Sequence, residues 1–139
     1  MIDLHTHTTA SDGQYSPSQL VEKAASKGIS VLAITDHDTV AGLKEGEEAA
    51  RRFGITFVPG IEFNIERPNC EFHLLGLGLY NVSKSLIEAS DFLAKSRAKR
   101  NLEMVEKMNT DGYSVSIEEL QSEFPTKSLG RPHIAKWLE

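Results

Sequence analysis

With 139 residues, of which 40% are apolar and 25% charged, the chain has an ordinary globular composition and room for one modest domain. Its formal net charge of −5 argues against a protein that binds long duplex nucleic acid through phosphate contacts, but not against one that binds a small phosphorylated substrate. No apolar run approaches the roughly 18 residues of a membrane span, and the polar start at residue 3 is unlike a secretory signal. Because Cys70 is the single cysteine, an internal disulfide is excluded, and we expect a cytoplasmic protein without membrane partners.

The first twelve residues hold the strongest chemical signal. Residues 1–7 are predicted as a strand, on which His5 and His7 point to the same face. Two adjacent imidazoles suit zinc, manganese or iron, and Asp12 adds an oxygen donor after a short turn. The plain alternative is a set of ordinary polar residues at a strand end.

The following elements alternate between helix and strand. Ser16 and Gln19 form a capping box that opens a helix ending at Gly28. Strands are predicted at 29–35, 55–58 and 71–80, with a helix at 40–53. This order, with its short connections, predicts an α/β fold with a mainly parallel sheet.

After about residue 83 the pattern is helical. Apolar residues recur with helical spacing up to Gly112, a capping box at Ser116 and Glu119 opens a short helix, and Gly130 precedes a further one. A barrel-like α/β domain usually takes about 250 residues. Since four parallel strands cannot close, we expect this chain to be one section of a longer polypeptide.

Six residues of types that commonly bind metals lie at or just after the predicted strands, where we expect their side chains to converge: His5, His7, Asp12, His37, Glu62 and His73. Each has a plain alternative. His37 could be a loop histidine held by its flanking carboxylates, Glu62 could cap a helix or pair with Arg67, and His73 could be a core histidine.

Four motifs in this order resemble the PHP (polymerase and histidinol phosphatase) superfamily: His5-Thr6-His7 with Asp12, Thr35-Asp36-His37-Asp38-Thr39, Gly60-Ile61-Glu62 and Phe72-His73-Leu74-Leu75-Gly76. The resemblance covers essentially the whole chain. It implies a distorted (β/α)7 barrel that holds two or three divalent ions (Mn, Fe or Zn) and hydrolyses phosphoesters with a metal-activated water and no side-chain nucleophile. By similarity, His5, His7 and Glu62 hold the first ion. Glu62 also bridges to a second ion with His73, and Asp12 and His37 bind a third.

The chain departs from the superfamily pattern after His73. The later histidine or cysteine and the Asp-x-His pair are absent, and His133 is the only later histidine. We therefore expect each ion to lack one ligand and a C-terminal half of the barrel to be missing. The resemblance divides the chain into residues 1–82, the N-terminal part of the barrel, and residues 83–139, a helical cap or insertion.

Residues 130–135 resemble the small stand-alone members that act on nucleoside 3′,5′-bisphosphates and short RNA 5′ ends. Candidate phosphate contacts are Arg97, Arg100, Arg131 and His133, of which the last two begin a helix, where anions are favoured. For Arg97 and Arg100, a solvated helix face is the alternative. We thus predict a nucleotide phosphomonoesterase. The alternatives are a histidinol phosphatase, a DNA-polymerase-associated exonuclease, or a metal-stabilised module without turnover.

Overall fold

The computed structural model describes residues 1–68, 70–124, 126 and 129–139, apart from the side chains of residues 66, 67 and 71. The proposed alternative pairing of Glu62 with Arg67 falls outside this description. Four strands precede three helices of the C-terminal part. The elements are β1 (Ile2–Asp3), α1 (Pro17–Ser26), β2 (Val31–Ile34), α2 (Leu43–Phe53), β3 (Thr56–Arg67), β4 (Cys70–Leu77), α3 (Lys84–Thr110), α4 (Ile117–Glu123) and α5 (Arg131–Trp137).

The described strands form one sheet in the order β1-β2-β3-β4. Strand β2 pairs in parallel with β1 on one side and with β3 on the other. Strand β4 runs antiparallel to β3. Strand β3 serves both pairings, because Thr56 to Pro59 lie beside β2 and Gly60 to Arg67 lie beside β4. The expected α/β fold with a mainly parallel sheet is confirmed.

Among the four strands, β3 and β1 differ most in length from the sequence prediction. β3 continues well past the predicted end at residue 58, because Pro59 does not interrupt the strand. The Pro59 carbonyl accepts hydrogen bonds from the N–H groups of Gly78 and Leu79, each at 2.9 Å. β1 is only two residues long, but the chain after it stays beside β2. There Thr6 Oγ1 donates to the Ala33 carbonyl at 2.6 Å, and the Thr35 N–H donates to the Thr6 carbonyl at 2.9 Å.

Helices α1 and α5 begin where their predicted caps lie, and both capping boxes at Ser16 and Ser116 form. Helix α2 ends before Gly54, which adopts the left-handed conformation, as the sequence indicates. The described helices include none that is both long and apolar enough to cross a bilayer.

Two apolar clusters hold these elements together. The first joins α1 and α2 to β2 through Val21, Ala24, Leu32, Ile34, Leu43, Ala49, Ala50 and Ile55. The second joins α3, α4 and α5 through Val105, Met108, Val115, Leu120, Leu129 and Ile134. The hydroxyl of Thr126 donates to the Ser11 carbonyl, and Asn101 Nδ2 donates to the Leu129 carbonyl at 2.8 Å. The first bond places the helical segment beside the loop that carries Asp12. The second joins α3 to the residues that precede α5.

Candidate metal centre

A single buried carboxylate stands at the centre of the predicted constellation. Glu62 is 1% exposed. Its Oε2 lies 3.2 Å from His5 Nε2, 3.0 Å from His7 Nε2 and 3.3 Å from His37 Nδ1, and its Oε1 lies 2.8 Å from His73 Nδ1. Four imidazoles from different parts of the chain thus surround one carboxylate.

The backbone explains this convergence. The Glu62 N–H donates to the Asp36 carbonyl at 3.1 Å and the Asp38 N–H donates to the Glu62 carbonyl at 2.8 Å, so that His37 lies beside Glu62. His73 lies opposite Asn64 in the β3–β4 register and is therefore a diagonal neighbour of Glu62. Its side chain is 41% exposed, which excludes the alternative of a core histidine. His73 thus reaches the site from within an antiparallel strand rather than from a parallel strand end.

Asp12 lies on the far side of two of these imidazoles. Its Oδ1 is 3.4 Å from His7 Nδ1, and its Oδ2 is 3.8 Å from His37 Nε2. Three overlapping groups of the described residues are compact enough to hold an ion: His5–His7–Glu62, His7–Asp12–His37 and His37–Glu62–His73. All six predicted ligand residues therefore lie in one continuous cluster.

The donor atoms fit divalent metal ions. Glu62 Oε2 and His37 Nδ1 are buried and make no hydrogen bond to any described residue, even though ring nitrogens lie close to the carboxylate oxygen. Buried polar atoms are normally hydrogen-bonded, and a lone pair left without a donor is satisfied by a coordinated cation. Imidazole nitrogens with carboxylate oxygens suit zinc, manganese and iron.

The electrostatics favour the protonation states that metal binding needs. Burial raises the pKa of Glu62, but the imidazoles of His5, His37 and His7 outweigh it and hold this pKa below its usual value. Burial lowers the pKa of His37, and the nearby carboxylates of Asp12 and Glu62 only partly oppose that change. Near neutral pH this leaves an ionised carboxylate beside a neutral imidazole, the forms that coordinate a metal.

A cavity of about 350 Å³ opens beside the cluster. Its lining combines candidate metal ligands with cationic and helix-start residues: Asp12, His37, His73, Asn64, Arg97, Gly130, Arg131 and Pro132. A phosphorylated ligand placed here lies near both the candidate metal ligands and two guanidinium groups.

The four predicted phosphate contacts are distributed over three cavities. Arg131 lines the cavity beside the cluster, and Arg97 lines both this one and a second cavity of about 410 Å³, which also includes Arg100. The guanidinium of Arg97 pairs with Asp38. His133 lines a third cavity of about 470 Å³ and accepts the Gly130 N–H on its Nδ1 at 2.9 Å. Arg131 and His133 thus lie on different sides of the first turn of α5.

From the sequence, Asp36 and Asp38 are predicted only as possible partners of His37. The structure gives both side chains other partners: Asp36 accepts hydrogen bonds from Thr8 and Ser11, and Asp38 pairs with Arg97. The available signal was their position directly after a buried apolar strand, where carboxylates need nearby donors.

Comparison with known proteins agrees with this geometry. The family model described as the PHP domain matches residues 3–138. The chain is 33% identical over 136 residues to a 5′-3′ exoribonuclease of Haemophilus influenzae, an alignment that covers 98% of this chain and 49% of that protein. It is 35% identical over 103 residues to a 3′,5′-nucleoside bisphosphate phosphatase of Chromobacterium violaceum, covering 74% of this chain and 36% of the relative. The chain therefore spans half or less of the length of these relatives.

Two solved structures share the fold closely. An amidohydrolase from Chromobacterium violaceum superposes with a TM-score of 0.90, and a proposed metal-dependent phosphoesterase from Bifidobacterium adolescentis with a TM-score of 0.88. Each is 29% identical to this chain, with 97% of this chain and 48% of the other covered. Together with the family match across nearly all of its residues, this likeness shows that the chain belongs to the PHP domain family.

Proposed function

We propose that this chain carries the metal centre of a phosphoesterase that removes phosphate from nucleotides, with water as the attacking group. The observation that carries this proposal is the buried Glu62 carboxylate among four imidazoles, two of which, His37 and His73, line a cavity together with Arg131.

The proposed ligand sets follow the compact groups of side chains. His5, His7 and Glu62 hold one ion, Glu62 and His73 share a second, and Asp12 with His37 binds a third; we propose Mn, Fe or Zn as the metal. Divalent ions in such a centre supply an activated water near neutral pH and neutralise the charge of the phosphate. We further propose that ligands from outside this chain, from a segment like the uncovered half of the relatives, complete each set.

The protein's own residues hold the substrate. Arg131 lines the cavity beside the cluster, where its guanidinium can donate paired hydrogen bonds to a phosphate. Arg97 offers its remaining N–H groups to the same cavity while one of its nitrogens holds Asp38. Arg100 and His133 line the neighbouring cavities and are proposed contacts for more distant parts of the substrate.

The names of the relatives support a nucleotide substrate. An exoribonuclease and a nucleoside bisphosphate phosphatase share the family and much of this chain's sequence. We therefore propose a nucleoside 3′,5′-bisphosphate or the 5′ end of a short RNA as substrate. A reducing cytoplasm is the proposed location, since Cys70 is a free and exposed thiol.

Phosphate release from adenosine 3′,5′-bisphosphate by the purified chain, with Mn²⁺, Fe²⁺ or Zn²⁺ added, tests the proposal. We expect slow, metal-dependent release that Glu62→Gln lowers by roughly 100-fold or more, because loss of the shared carboxylate removes about 3 kcal/mol of transition-state stabilisation. Glu47→Gln, an exposed change on α2, is the control and leaves the rate unchanged. If the chain binds metal but shows no hydrolysis dependent on Glu62 even when a segment like the uncovered half of the relatives is supplied, it is a non-catalytic module and the proposal is wrong.

A further inference from the structure

Asp36 is a buried carboxylate that the proposed metal sites do not use. It is 1% exposed, and three donors satisfy it. Its Oδ1 accepts from the Thr8 N–H at 2.6 Å and from Ser11 Oγ at 2.7 Å, and its Oδ2 accepts from Thr8 Oγ1 at 2.7 Å. Asp36 therefore ties the end of β2 to the loop between His7 and Asp12.

The Ser11 hydroxyl connects this carboxylate to the metal ligands. Its oxygen lies 2.7 Å from Asp36 Oδ1, but 3.4 Å from Asp12 Oδ1 and 3.5 Å from His7 Nδ1. A hydroxyl has one proton and two lone pairs. Since the short contact to Asp36 takes the proton, Ser11 turns a lone pair toward His7.

His7 Nδ1 thus faces two acceptors. One is Ser11 Oγ, and the other is Asp12 Oδ1 at 3.4 Å. A neutral imidazole carries a single proton, and two acceptors at Nδ1 place it there. The lone pair then lies on Nε2, which is 3.0 Å from Glu62 Oε2 and 3.2 Å from His5 Nε2.

The contacts at Nε2 agree with this tautomer. His7 Nε2 lies 3.0 Å from Glu62 Oε2, but the contact does not have the geometry of a hydrogen bond. His5 Nε2 lies 3.2 Å from His7 Nε2, and this contact is a hydrogen bond when His5 Nε2–H donates to the lone pair of His7 Nε2.

We propose that Ser11, whose proton is held by Asp36, is a positioning residue that fixes His7 as the Nδ1–H tautomer and so keeps Nε2 free to bind a metal. This rests on the proposed function, in which His7 is a ligand of the first ion. Hydrogen bonds of this kind to the far nitrogen of a metal-bound histidine fix its tautomer and orientation, and losing one typically weakens metal binding about 10–100-fold.

Thr8 supplies a matched control. Its backbone N–H and its hydroxyl each donate to Asp36, and the hydroxyl accepts the Ala10 N–H at 3.1 Å; among the described residues, its side chain makes no hydrogen bond to His7. Thr8→Val therefore removes one hydroxyl bond to the same carboxylate without removing the acceptor that faces His7.

The test is a nitrogen-15 NMR measurement of the histidine tautomers in the metal-free full chain at about pH 8, where an ordinary imidazole is neutral. We expect His7 to carry its proton on Nδ1. Ser11→Ala should shift His7 toward the Nε2–H form and weaken Zn²⁺ binding roughly 10–100-fold. Ser11→Thr should restore both properties, and Thr8→Val should keep both while lowering the melting temperature.

Two results would overturn the inference: a wild-type His7 that is protonated mainly on Nε2, or a Ser11→Ala variant with unchanged tautomer and Zn²⁺ affinity. A wild-type His7 protonated on Nε2 overturns the inference whether or not a variant folds, whereas an Nδ1–H form is also compatible with Asp12 as the acceptor, and Ser11→Ala distinguishes the two. A wild-type chain that binds no Zn²⁺ contradicts the proposed function, whereas the tautomer measurement still reports on Ser11 separately.

Discussion

Arg97 on α3 pairs with Asp38, the residue that follows His37, although 59 residues separate them along the chain. Their side chains are 11% and 5% exposed. Asp38 also accepts the Asn64 N–H at 3.1 Å and adopts a positive φ of 54°, uncommon for a residue other than glycine. This ion pair links the long helix directly to the loop and strand that carry His37 and Glu62.

Breaking this pair should destabilise the chain strongly. Arg97→Ala leaves the Asp38 carboxylate buried without its cation, and we expect the free energy of unfolding to fall by about 3 kcal/mol. Arg51→Ala, which breaks the exposed pair with Glu47 on α2, should change it by no more than about 0.5 kcal/mol. Urea unfolding of both variants measures the difference. Equal effects would mean that the Arg97 pair is no more than a surface contact.

The sequence was sufficient to predict what depends on local patterns. Ser16 and Ser116 cap their helices, Gly54 ends α2, and the run before Asp36 forms a buried strand, because caps and apolar periodicity act within a few residues. The six candidate ligands meet in one cluster because strand pairing sets their positions.

Relationships between distant residues could not be predicted in this way. The partner of Arg97 depends on where α3 packs against the sheet, and no spacing rule links residues 38 and 97. The continuation of β3 through Pro59 depends on donors at Gly78 and Leu79, which directly follow the next strand along the chain. The Asp36 bonds to Thr8 and Ser11 likewise appear only after β1 and β2 are placed side by side.

Gly13 should be essential to the loop that presents Asp12. A Cβ there would lie 2.3 Å from the His7 carbonyl oxygen and 2.7 Å from the Thr8 nitrogen, both backbone atoms. We expect Gly13→Ala to lower the free energy of unfolding by roughly 3 kcal/mol and to weaken Zn²⁺ binding, because the loop must shift. Gly28→Ala is the control: nothing lies within 4 Å, and only its φ of 74° opposes the change, at about 1–2 kcal/mol. A Gly13 variant with normal Zn²⁺ affinity would contradict this view of the loop.

Acid should destabilise the metal-free chain. Burial lowers the pKa of His133 and of His37 below the ordinary 6.5, so the unfolded chain binds these protons first as the pH falls through the interval below 6.5. The lowered pKa of Glu62 acts in the same direction: its contribution is present above 4.5 and is lost as the pH falls through its folded-state pKa. We therefore expect the free energy of unfolding to decrease from about pH 7 to about pH 5, and further in stronger acid.

His133 allows one part of this slope to be isolated. Its Nδ1 accepts the Gly130 N–H, and a proton at that nitrogen abolishes the bond. His133→Gln removes the titrating group. The free energy of unfolding should therefore fall less steeply between about pH 7 and pH 5, while the part of the decrease due to His37 remains. Urea titrations at several pH values, with a chelator present, provide the comparison. Identical slopes for wild type and variant would exclude His133 as a contributor.

Arg131 should determine which substrates are cleaved efficiently. It lines the cavity beside the candidate metal ligands, together with His37 and His73. A substrate with two phosphates can place one on the metal ions and the other against this guanidinium, whereas a substrate with only the scissile phosphate gains nothing from the second contact. In the protein completed by a segment like the uncovered half of the relatives, Arg131→Ala should therefore lower kcat/KM for a nucleoside 3′,5′-bisphosphate by roughly 10–100-fold, the worth of one charge-assisted hydrogen-bonded contact.

A plain aryl phosphate, assayed side by side, separates recognition from stability. Its hydrolysis by Arg131→Ala should be almost unchanged, because it carries no second phosphate to lose. Lys84→Ala is the control, since this exposed cation at the start of α3 lines none of the three cavities. This variant should leave both substrates nearly unaffected. If Arg131→Ala instead reduces the two substrates equally, Arg131 acts through the stability of α5, and the idea of a second phosphate contact loses its support.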